Sequence, residues 1–169
     1  TNLTKAILVG ADLGGDDLTG VDLEKADLRG ADLAGTDLEN AILTGANLGK
    51  NGTTATDLRG AILTGAKLGK ADLSGANLGK NGDTAANLTN ADLTGAILTS
   101  AVLSDANLTG ANLTGANLSG ANLTSTVLTG ANLTGADLTG TTLTTIVISG
   151  TTNLTKAILV GADLGGDDL

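Results

Sequence analysis

A chain of 169 residues with a formal charge of −9 and no His, Cys, Met, Pro, Phe, Tyr or Trp is long enough for one sizeable domain. That composition excludes imidazole and thiol chemistry, soft metal ligation and aromatic stacking on bases, and its acidic balance repels phosphates, so no nucleic-acid partner is expected. The lack of Cys leaves the redox compartment open, and the longest apolar runs, such as Ala6-Ile7-Leu8-Val9, fall far below the roughly 20 residues of a membrane span.

Neither a basic-then-apolar leader nor a starting Met opens the chain, so residue 1 is not expected to be the natural beginning. Only twelve residue types are used, which by itself suggests low complexity, but 41% of the residues are apolar and they recur at fixed spacing, which argues against disorder.

Leu stands at every fifth position from Leu3 to Leu143, broken only at Thr53 and Asp83, and Ile148 continues the series. An amphipathic helix needs apolar residues at i, i+3, i+4 and i+7; a strict period of five smears Leu around the helix, and a Gly in most units would penalise it further. The residue two before each Leu is nearly always Ala, as at Ala26, Ala31, Ala41 and Ala46, with Thr36, Thr56, Thr126 and Thr141 as small variants. Gly closes many units, where a sharp corner disfavours a Cβ. The clearest copies are Ala106-Asn107-Leu108-Thr109-Gly110, Ala111-Asn112-Leu113-Thr114-Gly115 and Ala116-Asn117-Leu118-Ser119-Gly120.

These units, Ala-(Asp/Asn)-Leu-x-x over essentially the whole chain, resemble the pentapeptide repeat family. The resemblance implies an all-β fold, a right-handed quadrilateral parallel β-helix with one pentad per side and four per coil. It also implies that Leu and the small residue two before it point inward and the other three residues outward. Leu28, Leu33, Leu108, Leu113 and Leu118 then belong to one stacked apolar column, with coils about 4.8 Å apart.

In chain order, residues 11–40 are the charged section, with Asp12, Asp16, Asp17, Asp32 and Asp37 among the acids, whereas Asp137 is the sole charge from 106 to 151. Surface chemistry changes there while the core pattern does not, so residues 1–169 read as a single continuous solenoid. Two interruptions near 49–55 and 79–85 each contain Asn-Gly and lack their Leu, and are expected to bulge as loops. Without those two Leu-less units, residues 1–150 hold 28 pentads, which gives about seven coils.

Residues 152–169 repeat residues 1–18 without a change, offset by 151 residues, with one extra residue near Ser149 to Asn153. The chain therefore reads as one super-repeat, 1–151, followed by the start of the next. Under the seven-coil count the second copy begins on the same face as the first.

Candidate sites are few. Asp12 with Asp32, and Asp17 with Asp37, stack one coil apart and are weak candidates for Ca²⁺, weighed against ordinary solvated carboxylates. No catalytic set and no cofactor site is expected: the hydroxyls and lysines show no base–nucleophile pairing, and no phosphate-loop pattern occurs. Outward Asn and Thr rows permit ordering of water at ice or another surface, weighed against plain β-surface propensity. The acidic rod resembles family members that mimic DNA toward topoisomerases, yet this chain lacks the Phe and helical element typical of them. Outward Ile7, Ile42, Ile62, Ile97, Val102, Val127 and Val147 offer lateral contacts.

With pattern-matched ends and no cap, the expected function is a non-enzymatic structural rod, self-associating end to end as a fibre or spacer. The self-association edge comprises Thr1, Asn2 and Leu3 at one end and Leu154, Leu164 and Leu169 at the other. An extracellular or cell-surface setting is slightly favoured.

Overall fold

Each pentad forms one short side, closed by a turn in which the small residue's N–H donates to the preceding Leu carbonyl, as from Ala6 to Leu3 at 2.9 Å. The residue before the small one has positive φ: Gly10 at 66° and Gly110 at 66°, but also Lys25 at 56° and Thr145 at 55°. That combination is the pattern of a type II turn, in which the third residue is left-handed and Gly is the natural occupant. With a turn every five residues, one residue per side stands in ladder geometry, so the pairing is a succession of single parallel bridges rather than extended strands.

In this computed structural model, which describes residues 1–165, the bridges fall into four ladders, one per face. The first face runs Asn2, Asp22, Ile42, Lys67, Asp92, Asn112, Asn132, Asn153, and the second Ile7, Asp27, Asn47, Asp72, Ile97, Asn117, Asp137, Ile158. The third runs Asp12, Asp32, Asp57, Asn77, Val102, Asn122, Thr142, Asp163, and the fourth Asp17, Asp37, Ile62, Asn87, Asn107, Val127, Val147. Four pentads thus make one turn of a parallel β-solenoid.

Every Leu from Leu23 to Leu123 in the five-residue series is fully buried, including Leu28, Leu33, Leu108, Leu113 and Leu118. Ala at the small position lets four Leu side chains meet across a narrow interior. Thr36 and Thr126 are equally buried there, and their hydroxyls donate to the carbonyls of Leu13 at 2.7 Å and Leu103 at 2.8 Å.

The pentads holding Thr53 and Asp83 leave the ladder as small hairpins. Asn51 and Thr54 exchange both backbone hydrogen bonds, at 2.8 and 3.1 Å, with Gly52 at φ 60°; Asn81, Gly82 and Thr84 repeat this. The left-handed residue is the first of the two central ones, as in a type II′ turn, so Asn precedes the turn rather than sitting in its centre. The hairpins lie back over the corners at Gly30 and Gly60, where an added Cβ would come 2.9 Å from the Cβ of Asn51 and 3.0 Å from that of Asn81. Near the end, the extra residue is absorbed in one corner: Thr152 closes the turn on Ser149 at 2.8 Å, and Asn153 re-enters the first ladder.

Candidate functional site

The outward faces are the surface this fold presents, and their chemistry starts from a count of backbone donors. In a typical pentad the Leu N–H donates to the next coil (Leu108 to Val127, 2.8 Å), and so does the N–H at the corner (Gly110 to Thr129, 2.9 Å). The ladder residue's N–H donates back to the previous coil (Asn107 to Ala86, 2.9 Å), and the small residue's closes the turn (Ala111 to Leu108, 3.0 Å). One N–H remains, on the residue after Leu, and the ladder's Asp or Asn accepts it: Thr109 N–H to Asn107 Oδ1 at 3.0 Å. The outward Asp/Asn is therefore part of the fold, satisfying the donor that the coil ladders leave over.

The same arrangement holds for Asp12, Asp32, Asp17 and Asp37, which accept from Gly14, Ala34, Thr19 and Glu39 at 3.4, 2.9, 3.0 and 2.9 Å. Asp12 bridges Asp32 and Asp17 bridges Asp37. Among the described residues no group of three or more acidic side chains is placed to hold a metal ion. These carboxylates cap turns.

At several pentads the hydroxyl after Leu also donates to that oxygen: Thr94 to Asp92, Thr109 to Asn107, Thr134 to Asn132 and Thr139 to Asp137, each at 2.6 Å. At these pentads the hydroxyl hydrogen is turned onto the cap oxygen and away from solvent. The Asp137 carboxyl is held below the usual range by the hydroxyl and N–H of Thr139, with a further bond from Ser119. Asp17 is lowered in the same way by Thr19.

Two corners carry bidentate ion pairs. Arg29 pairs with Asp27 at 2.7 Å and Arg59 with Asp57 at 2.6 Å, so both carboxyls lie below their ordinary value, chiefly through the guanidinium hydrogen bonds. Lys80, at the base of the second hairpin, reaches Asp105 on the next coil at 3.2 Å.

At the edges, Leu3 and Leu154 and Leu164 are half-buried against the core, while Thr1 and Asn2 are exposed; Leu169 lies outside the described residues. Outward Ile7, Ile97 and Ile158 share the second face, with Ile7 82% exposed. An apolar cavity opens among Leu133, Leu138, Ile146, Ile148, Leu154 and Leu159, where the extra residue shifts the frame. No helix among the described residues is long and apolar enough to cross a membrane.

A four-sided parallel solenoid of five-residue sides, with Leu and Ala inside and Asp/Asn capping each turn, defines a class of repeat scaffold. The family model for pentapeptide repeats matches in 8 copies, over residues 1–35, 22–50, 54–79, 84–115 and 106–144, and the chain belongs to the pentapeptide repeat family. Those matches skip 51–53 and 80–83, in the two hairpins.

The chain is 30% identical to HetL, a pentapeptide repeat protein involved in heterocyst differentiation regulation in the cyanobacterium Nostoc sp. strain PCC 7120, over 99% of this chain and 82% of HetL, with a TM-score of 0.41. It is 32% identical to a pentapeptide repeat protein of the Arabidopsis thaliana thylakoid lumen, over 67% and 68% of the two chains, with a TM-score of 0.29. A trypsin-treated form of QnrB1, a plasmid-mediated fluoroquinolone resistance protein, shares the fold at 21% identity, 99% and 83% coverage and a TM-score of 0.52. No curated protein sequence matches the chain.

Proposed function

We propose that this chain is a non-enzymatic structural rod, a segment of a repetitive β-solenoid that packs end to end with further copies of itself as a filament or rigid spacer. The observation that carries this reading is the return of residues 1–18 at 152–169, combined with the ladder in which Asn153 belongs to the same face as Asn2. Counted along that ladder, seven coils separate the two copies, an axial step of about 34 Å at 4.8 Å per coil. A whole number of coils per super-repeat keeps every face in phase, so the acidic columns and the Asn/Thr rows recur along one side of the rod.

In a solenoid, end-to-end stacking continues the apolar column from one copy to the next and leaves no open edge between them. Electron microscopy and light scattering of the purified chain over a range of concentrations test it. Rods lengthening with concentration are expected; particles that stay monomeric at all concentrations would falsify the proposal.

A further inference from the structure

Residues 152–165 have the sequence of 1–14 and are seated on the coil formed by 131–148, with Leu133, Leu138 and Leu143 donating to the carbonyls of Asn153, Ile158 and Asp163 at 2.7 Å each. That is the geometry in which the first coil of one copy meets the coil before it. The first coil, however, carries one residue that does not suit being covered.

Asp16 occupies the inward small position of the fourth face: its N–H closes the turn on Leu13 at 3.1 Å and its carbonyl accepts from Asp37 at 2.9 Å. In later coils that position holds Thr36, Ala61, Ala86, Ala106 and Thr126, all fully buried. Asp16, in the first coil, is exposed. Any coil laid on the first one encloses its carboxylate.

No donor waits for that carboxylate inside. The hydroxyl of Thr36, next in the column, is already spent on the carbonyl of Leu13, and no Lys or Arg is buried among the described residues. In the coil of 131–148, which a second copy reaches only by taking the place of residues 152–165, the matching inward residue is Ile146. A carboxylate enclosed among methyl groups without a partner is a costly arrangement, and inward-pointing charges are one way natural sheets keep an edge from pairing.

We infer that Asp16 is a seam residue, which weakens the packing of a second copy of this chain on the first coil and so marks where an assembly of copies comes apart. The inference rests on the end-to-end reading above. Its test compares three forms of the 169-residue chain at neutral pH by sedimentation over a concentration series: the unchanged chain, Asp16→Ala with Asp167→Ala, and Asp12→Ala with Asp163→Ala. The last pair removes the same charge from outward positions.

Association at least about tenfold tighter for the Asp16→Ala, Asp167→Ala form than for either other form is expected, since an unpaired buried charge is worth more than that. If the unchanged chain assembles and the Asp16→Ala, Asp167→Ala form associates no more tightly than the Asp12→Ala, Asp163→Ala form, the seam is refuted while end-to-end packing stands. If none of the three associates, both fail. Asp16→Thr with Asp167→Thr, which copies Thr36 and Thr126, replaces the alanine pair should that form lose its circular dichroism spectrum.

Discussion

Ile97 and Asn107 occupy equivalent ladder positions, yet only Asn107 accepts the N–H two residues on; the N–H of Thr99 has no protein acceptor among the described residues. Replacing Ile97 by Asn supplies that acceptor, and replacing Asn107 by Val removes one. The first change is expected to raise, and the second to lower, unfolding free energy by about 1 kcal/mol, the typical net value of one hydrogen bond. Thermal or urea unfolding of both variants checks this, and shifts of equal sign would refute it. The donor count also explains why Asp and Asn dominate positions that burial alone leaves free: a short acceptor reaches the N–H two residues ahead, whereas Glu or Gln is too long for that ring. Thr145, β-branched and at φ 55°, shows that the fold tolerates a strained corner where Gly is the easier residue.

The hairpins are insertions between intact coils, and the sequence around them says how to remove one. Leu48-Gly49-Lys50 before the first hairpin matches Leu68-Gly69-Lys70, which turns an ordinary corner with Lys70 at φ 58°. Deleting Asn51 to Ala55 joins Lys50 to Thr56 and restores the 20-residue ladder spacing seen from Asn2 to Asp22. The shortened chain is expected to keep its circular dichroism spectrum and its unfolding free energy to within about 1 kcal/mol, because closing a short surface loop changes chain entropy little. Deleting Leu58 to Ile62 instead removes a ladder side and is expected to disrupt the coil; equal tolerance of the two deletions would contradict the assignment. Asn-Gly and the missing Leu made both insertions legible in the sequence, but not their direction. That depended on the glycines at 30 and 60, which give the hairpins corners to lie against.

Across the whole molecule the carboxyls of Asp17, Asp27, Asp57 and Asp137 are held below their ordinary values, by Thr19, Arg29, Arg59 and Thr139 respectively. A depressed folded pKa means that the folded state binds fewer protons, so this stabilisation is complete above the unfolded value near 3.8 and fades as pH falls through the folded one. The thermal midpoint is expected to fall on acidification below about pH 4, and to fall less in the Arg29→Gln, Arg59→Gln double variant. A midpoint that is flat or rises on acidification would count against it.

What the sequence alone determined is the unit and its inside: a five-residue period with Leu and Ala at fixed places fits no helix, and its match to the pentapeptide pattern implied the four-sided coil. Tertiary structure decided everything that depends on which pentads stack. A side chain's neighbours lie 20, 25 or 21 residues away according to hairpins and the extra residue near Ser149, and no local pattern carries that spacing. The register brings Asn153 onto the face of Asn2 and puts Asp16, one acid among many in its stretch, in the column of small positions that later coils fill with Thr36, Ala61 and Ala86.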